Sequence, residues 1–454
     1  FLGFVFNDIK NLCMSSKKTP KSNKKGFARS PVSIGLSACL IVKNEEQRLS
    51  ECLDSLKTIA DEIIVVDTGS TDRTVVIAKK YQAQIFHFDW CDDFSQARNF
   101  AIAKAKGKWI LVIDADELLE QGAIAILQQV MQEDDCLAAN LLRVEVDAKQ
   151  TPYSLISRLF RNHPAIAFSG IYHESIDQSV TALQAQEPHW QVINVEVPIL
   201  FHYGYTDSEI ELKQKYEFAK RLMHKHLEAF PDDSYMHSKL GALYISRQDC
   251  DRAFGVELLQ KGLALIDDTN QQDLTRCELH FHLGIAHTQN GDLELAKNAY
   301  KQVIALDVPE LTKLSAYLNL GNIYQELNQK EAIATFELVT EIAPDYAQGH
   351  YNLGIALKTS ERFIEAIAAY QKAILLEPSY AEAHQNLGVA LMKIGCFPEA
   401  IAAFNMAIRL YEQQNNYQAA EILRSALLGI AYNPKSARAA CALWVLWITD
   451  FAAF

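Results

Sequence analysis

The dipeptide Leu-Gly recurs at 283–284, 320–321, 353–354 and 387–388, so its glycines stand 37, 33 and 34 residues apart. Eleven or twelve residues after each glycine comes an alanine, and four positions later an aromatic: Ala296 and Tyr300, Ala332 and Phe336, Ala366 and Tyr370, Ala400 and Phe404. Pro344 and Pro378, also 34 apart, punctuate the series. A period of this length holds one pair of helices. A single pair cannot bury its own apolar face, so half of this chain can form a core only by stacking one pair on the next. The small residues let two antiparallel helices approach, and the aromatics are expected to fill the layer against the following repeat. A degenerate copy begins near Leu240-Gly241, with Ala253 and Phe254 in its second helix. The expected product is an all-α, right-handed solenoid over residues 233–430.

This pattern resembles tetratricopeptide repeats, whose period is 34 residues. The consensus positions serve packing and name no ligand. The expectation is therefore a stabilising or self-associating scaffold, or a curved surface that recruits an acceptor or a partner protein. With 454 residues the chain exceeds what one hydrophobic core supports, and further domains are expected upstream. A net charge of -13 argues against nucleic acid as a partner, since phosphate-backbone binding needs concentrated positive charge. Nine cysteines without a CxxC pair read as a reducing compartment.

Between Leu36 and Arg143 the periodicity switches repeatedly. Leu36 to Val42, Glu62 to Val66, Ile85 to Phe88 and Trp109 to Ile113 read as strands. Between them lie a helix face at Leu49, Cys52, Leu53 and Leu56, a helix over Thr74 to Tyr81, and another marked by Phe94, Ala97, Phe100, Ala101 and Ala105, with Gly107 as its stop. This βαβαβαβ order predicts a mostly parallel sheet with helices on both faces. From Ala138 to His202 the helical signal is weak and short β-prone pieces are expected. Glu209 to Glu228 reads as a connecting helix. The domain boundaries are thus 34–207 for the α/β domain, 208–232 for the connection and 233–430 for the repeats. Residues 1–33 read as a flexible basic segment with at most weak attraction to an anionic membrane surface. Residues 431–454 form an apolar segment whose longest run, 440–448, is too short to span a bilayer.

Three of the strands discharge into polar residues, which points to one crevice at their carboxyl ends. One of these exits, Asp114-Ala115-Asp116, sets two carboxylates one residue apart. On an extended segment both point to the same side and can meet one hard divalent ion, Mg²⁺ or Mn²⁺, which completes its shell with substrate phosphates. The competing reading is a polar turn or helix cap. No GxxxxGK[ST] or GxGxxG stands near Gly35 or Gly107, against a P-loop enzyme or a Rossmann dehydrogenase. No Cys/His quartet has structural-zinc spacing.

The segments Ile41-Val42-Lys43-Asn44-Glu45-Glu46, Val66-Asp67-Thr68-Gly69-Ser70-Thr71-Asp72-Arg73-Thr74, Asp93-Phe94-Ser95-Gln96-Ala97-Arg98-Asn99 and Asp114-Ala115-Asp116-Glu117 together resemble a family 2 glycosyltransferase of GT-A fold. The similarity is to the subgroup related to lipopolysaccharide-core glucosyltransferases, in which tetratricopeptide repeats sometimes follow the enzyme. Over 155–204, Arg158-Leu159-Phe160-Arg161-Asn162 and Ser169-Gly170-Ile171-Tyr172-His173-Glu174 resemble the acceptor and catalytic half. The resemblance implies that Asn44, Glu45, Asp67, Arg98 and Asp114 line the nucleotide and its diphosphate. Asp67 would hold the nucleobase edge, its alternative being an Asx turn over Gly69. Arg98 would face the diphosphate, its alternative being a surface arginine. Asp114, Asp116 and His202 would hold the metal, although His202 also suits an aromatic core cluster. Glu174 would be the general base, with Glu117 as its rival or as an anchor behind the metal pair. His173 and Arg158 would orient the acceptor, the alternative for His173 being a buried histidine satisfied by backbone.

The function so implied is a metal-dependent inverting transfer of a hexose from a nucleotide sugar, a UDP-sugar first of all. The acceptor would be a glycan, a lipid-linked sugar or a protein, in cell-envelope glycan synthesis in the cytoplasm or at the inner face of the plasma membrane. The competing class is a degenerate transferase domain kept as a scaffold for protein interaction.

Overall fold

The structure, a computed structural model, describes residues 35–146, 152–203, 209–247, 251–266 and 273–432, without the side chains of 209–214 and 428–432. The basic segment at 1–33 and nearly all of the apolar segment at 431–454 lie outside the described residues.

The α/β half opens as expected: β1 (Leu36–Val42), α1 (Leu49–Leu56), β2 (Glu62–Asp67), α2 (Thr74–Lys80), β3 (Gln84–His87), α3 (Phe94–Ile102) and β4 (Trp109–Val112). The strands β1, β2 and β4 are almost wholly buried, as unbroken apolar runs covered on both faces should be. Helix α1 buries Leu49, Cys52, Leu53 and Leu56, the i, i+3, i+4, i+7 stripe of an amphipathic helix. Gly107 is not a helix stop, because α3 ends at Ile102. A Cβ there would lie 2.4 Å from the carbonyl oxygen of Gly35, so this glycine lets two backbones touch at the foot of β1.

The second half of the domain is more regular than its sequence indicates. It contains β5 (Glu117–Leu119), α4 (Ile124–Val130), β6 (Cys136–Glu145), β7 (Tyr153–Arg161), α5 (Asp177–Gln186) and β8 (Gln191–His202). Helix α5 buries only Val180 and Leu183, too few positions to mark a helical period. The eight strands form one sheet in the order β3-β2-β1-β4-β7-β6-β8-β5. Pairing is parallel across β3, β2, β1 and β4 and again between β6 and β8. It is antiparallel at β4–β7, β6–β7 and β5–β8, so four of the seven pairings are parallel in a mixed sheet. In register, Val42 faces Asp67 and Cys39 faces Val112, which opens the carboxyl ends of β1, β2 and β4 on one rim.

Among the described residues, helix α6 (Glu209–Ala229) leads into five helix pairs and one further helix. These are α7 (Ser234–Ile245) with α8 (Arg252–Ala264), α9 (Asp273–Asn290) with α10 (Leu293–Ala305), α11 (Leu314–Glu326) with α12 (Glu331–Ile342), α13 (Ala347–Thr359) with α14 (Phe363–Leu376), α15 (Ala381–Lys393) with α16 (Phe397–Gln413), and α17 (Tyr417–Tyr432). A Cβ at Gly284, Gly321, Gly354 or Gly388 would meet the ring of Tyr300, Phe336, Tyr370 or Phe404 at 2.5–2.6 Å. The repeated aromatic therefore seats on the glycine of its own helix pair and also faces the next repeat, where Asn319 Nδ2 donates to Tyr300 Oη at 3.1 Å and Leu387 and Ala390 share a cluster with Tyr370.

Two side chains bolt the α/β domain to the repeats. Tyr172 packs with Met236, Leu240 and Tyr244 of α7 and with Ala219 and Met223 of α6. Tyr153, at the start of β7, packs on the repeat core beside Leu311 and Tyr346. Among the described residues no helix is long and apolar enough to cross a membrane.

Candidate functional site

The chain leaves β4 at Val112, turns through Ala115–Asp116 and re-enters the sheet at Glu117, which pairs with His202 of β8. This turn parts the two aspartates, which sequence alone places on one side of an extended segment. Asp114 accepts from Arg98 Nη2 at 2.7 Å and from Arg158 Nη2 at 3.0 Å, one guanidinium on each oxygen. Burial alone would raise its pKa, but Arg98 and Arg158 reverse that and hold the carboxyl well below the usual carboxylate range. Asp114 therefore anchors two arginines, and each of its oxygens keeps a further lone pair. Asp116 instead faces His202 Nε2 at 3.3 Å and Arg48 at 3.6 Å.

Arg98 is only 4% exposed, not a surface arginine. It projects from α3, whose amino end Asp93 caps by accepting from Gln96 N at 3.1 Å, and its Nε donates to Glu174 Oε1 at 2.5 Å. Arg98 Nη1 and Arg158 Nη1 are buried without a hydrogen-bond partner. A buried guanidinium nitrogen left unpaired costs free energy, so these two nitrogens mark where an anion fits.

Glu117 is fully buried. Its Oε2 accepts from Asp114 N and its Oε1 from Arg143 Nη1, both at 2.9 Å. An acceptor hydroxyl can reach neither oxygen, so the geometry speaks for the anchor and against the rival base. Arg143 also pairs with Glu145 at 2.7 Å, and Glu145 Oε2 meets His202 Nδ1 at 2.7 Å. Burial would push Glu145 up, but His202 and Arg143 bring it down to about 2. For His202 burial lowers the pKa, and Asp116 and Glu145 outweigh it, raising it to about 9. Arg143 and Glu145 escaped the sequence reading. Their signal was present, since two opposite charges at i and i+2 of an otherwise apolar strand share one face.

Asp67 is 3% exposed at the end of β2. Its Oδ1 accepts from Ser70 N at 3.0 Å, the Asx turn over Gly69 (φ +104°), and its Oδ2 lies 3.2 Å from the exposed His87. Asn44 is exposed and adopts a left-handed backbone (φ 59°). Its Oδ1 accepts from Thr71 N at 2.8 Å, while Glu45 N donates to Thr74 Oγ1 at 2.7 Å, which stitches the β1 exit to the β2 exit. Burial, then the charge of Asp116, raises the pKa of Glu45 to about 7. His173 also has a left-handed backbone (φ 55°) and is exposed rather than buried.

Among the described residues no group of three His, Cys, Asp or Glu side chains could hold an ion unaided. The donor set fits a shared ion better. Asp116 and His202 offer an oxygen and a nitrogen 3.3 Å apart beside the carboxyl of Glu45, and a hydrated Mg²⁺ or Mn²⁺ takes its remaining ligands from phosphates and water. Arg98, Arg158, Asp114 and Glu174 stand together as one hydrogen-bonded group, with Asp67 at the end of β2.

Residues 37–193 match Glycosyl transferase family 2. Residues 278–307, 314–346 and 381–414 match the tetratricopeptide repeat, and 360–395 match the TPR repeat. The TPR repeat-containing protein Synpcc7942_0270 of Synechococcus elongatus is 40% identical over 294 residues, 65% of this chain and 72% of that protein. The SPbeta prophage-derived glycosyltransferase SunS of Bacillus subtilis is 35% identical over 183 residues, 39% of this chain. An uncharacterized glycosyltransferase of Rickettsia bellii is 34% identical over 154 residues, 32% of this chain. The chain spans 41% and 52% of the lengths of these last two. A transferase-like mixed sheet ahead of glycine-seated helix pairs is thus matched part by part, and the chain belongs to the TPR repeat-containing family of the Synechococcus protein, with a family 2 glycosyl transferase domain before its repeats.

Proposed function

We propose that the α/β domain is a glycosyltransferase that moves a hexose, with inversion, from a nucleoside diphosphate sugar to an acceptor hydroxyl. The observation that carries this reading is the pair of unpartnered, buried nitrogens, Arg98 Nη1 and Arg158 Nη1, on the two arginines that grip Asp114. Two forked donors fixed by one carboxylate are already oriented for the oxygens of a diphosphate, so little reorganisation accompanies departure of the leaving group. Asp67 Oδ2 at the β2 rim suits a nucleobase N–H once His87 moves aside, and a UDP-sugar is the donor the motifs favour.

With Oε1 of Glu174 held by Arg98, Oε2 is the oxygen to take the acceptor proton. The acceptor oxygen forms its bond to the anomeric carbon as the bond from that carbon to the diphosphate breaks. The electron pair leaves with the diphosphate toward Arg98 and Arg158. Exposed His173 borders the acceptor side. Asp116 and His202 would hold Mn²⁺ or Mg²⁺, which when bound offsets diphosphate charge. The acceptor class is a glycan, a lipid-linked sugar or a protein, in keeping with cell-envelope glycan synthesis and the lipopolysaccharide-core likeness of the motifs. The repeats would recruit that acceptor, a partner or a second copy.

Titration calorimetry of UDP, GDP and their hexoses, with and without Mn²⁺, tests the reading. UDP-sugar binding that weakens at least tenfold in R158K supports it, since lysine cannot reproduce the fork. D116A should abolish the effect of Mn²⁺ on UDP affinity. Absence of nucleotide binding under every condition would overturn the proposal.

A further inference from the structure

Glu174 sits on a loop that does not hold itself. Gly170 (φ 102°) and His173 (φ 55°) both have left-handed backbones, a costly conformation for a histidine that surrounding structure must maintain. At its base the loop is closed by the Ser169–Ser175 bridge, with N–H···O contacts of 2.9 and 3.1 Å. At its tip both backbone groups of Ile171 are used. Its carbonyl accepts from Phe94 N at 3.0 Å, at the start of the helix that carries Arg98. Its N–H donates to His226 Nδ1 at 3.4 Å.

His226 belongs to α6, outside the matched transferase segment, and is 4% exposed. A backbone N–H only donates, so Nδ1 must carry its lone pair and the ring proton must sit on Nε2. That proton meets Asp233 Oδ2 at 2.9 Å, and Asp233 Oδ1 accepts from Met236 N at 3.0 Å, capping α7, the first helix of the repeats. Phe230 lies against the imidazole, ring centroids 5.1 Å apart, and limits its rotation. A continuous path therefore runs from the cap of the first repeat, through one histidine of defined tautomer, to the loop that presents Glu174.

We propose that His226 is a positioning residue for sugar transfer, set by Asp233, and that the first repeat is thereby part of the catalytic apparatus. This rests on Glu174 being the proton acceptor. A base displaced by about an ångström costs up to roughly 100-fold in turnover while donor binding, governed by Arg98 and Arg158, is untouched.

The test uses the full chain and two amide substitutions. H226Q keeps a group near Nε2 for Asp233 but offers nothing at Nδ1. H226N keeps an acceptor near Nδ1. Three quantities are read: hydrogen exchange of the segment 168–176, the dissociation constant for UDP, and kcat and KM for hydrolysis and transfer of the donor. H226Q should exchange that segment about tenfold faster or more, hold its UDP constant within about twofold, and lose about 10- to 100-fold in kcat at unchanged KM. H226N should recover most of both losses. Exchange and kcat in H226Q equal to the parent would overturn the proposal, as would equal kcat loss in both variants with UDP affinity falling in step. A parent chain that turns over no nucleotide sugar would refute the transferase reading instead, and the exchange comparison would still decide whether His226 holds the loop.

Discussion

Arg98 and Arg143 each join two carboxylates, so removing one charge near Asp114 has a consequence set by what that charge was holding. E174Q keeps an oxygen for Arg98 and removes only the proton acceptor. Its turnover should fall by roughly 10²- to 10⁴-fold while calorimetry finds UDP affinity almost unchanged. E117Q is the opposite case. Glu117 is buried against Arg143, and breaking such a pair costs about 3–5 kcal/mol, so urea unfolding should show a large loss of stability. An E117Q chain as stable as the parent yet inactive would return the base to Glu117. The partners of Asp114 were hard to read in the sequence for a physical reason. Arg158 lies on a strand 44 positions away, and the turn that parts Asp114 from Asp116 depends on the burial of Glu117 beside Arg143. The positions of Arg98 inside α3 and of Asp67 at the end of β2 were legible because both elements are strongly periodic.

At the scale of the element, the seat of each repeat aromatic is a glycine, and the two halves of that contact answer differently to mutation. G354A should destabilise by about 1–3 kcal/mol, because its Cβ would lie 2.5 Å from the fully buried ring of Tyr370, which cannot give way. Y370F should leave thermal stability unchanged or raise it, since the hydroxyl is buried without a partner. Lys358 supplies a pH test. Burial lowers its pKa to about 8, and Asn386 Oδ1, at 2.6 Å, brings it no negative charge. A lysine with a depressed folded pKa contributes its full stability above the unfolded value of about 10.4 and loses it as pH falls through about 8. The parent should therefore gain stability between about pH 8 and 10, and K358M should lack that rise and be the more stable protein at pH 7. The same contrast explains what was readable. The repeats and β1 to β4 announce themselves through sustained periods, whereas β7 is almost uniformly half-buried, and α5 and β8 mix buried, half-buried and exposed positions and dilute theirs.

The enzyme domain is held by the repeats at two distant places, Tyr172 on the first helix pair and Tyr153 on the core beside Leu311 and Tyr346. A chain ended after Glu228 would bare both tyrosines and the lower face of α6. It should be recovered as aggregate by gel filtration, while a chain ended after Tyr380 should remain monodisperse and still bind UDP. Recovery of a soluble, UDP-binding 35–228 fragment would show that neither grip matters for folding. Solenoids commonly evolve by gaining and losing whole modules, because each unit touches only its neighbours. Here the double grip acts as a ruler. Between α7 and Tyr346 the number of modules is dictated by the distance between Tyr153, at the start of β7, and Tyr172, on the loop after that strand, so losing or duplicating one there would carry Leu311 and Tyr346 away from Tyr153. Among the described residues neither tyrosine grips the stack from Ala381 onward, and there it is free to lengthen or shorten.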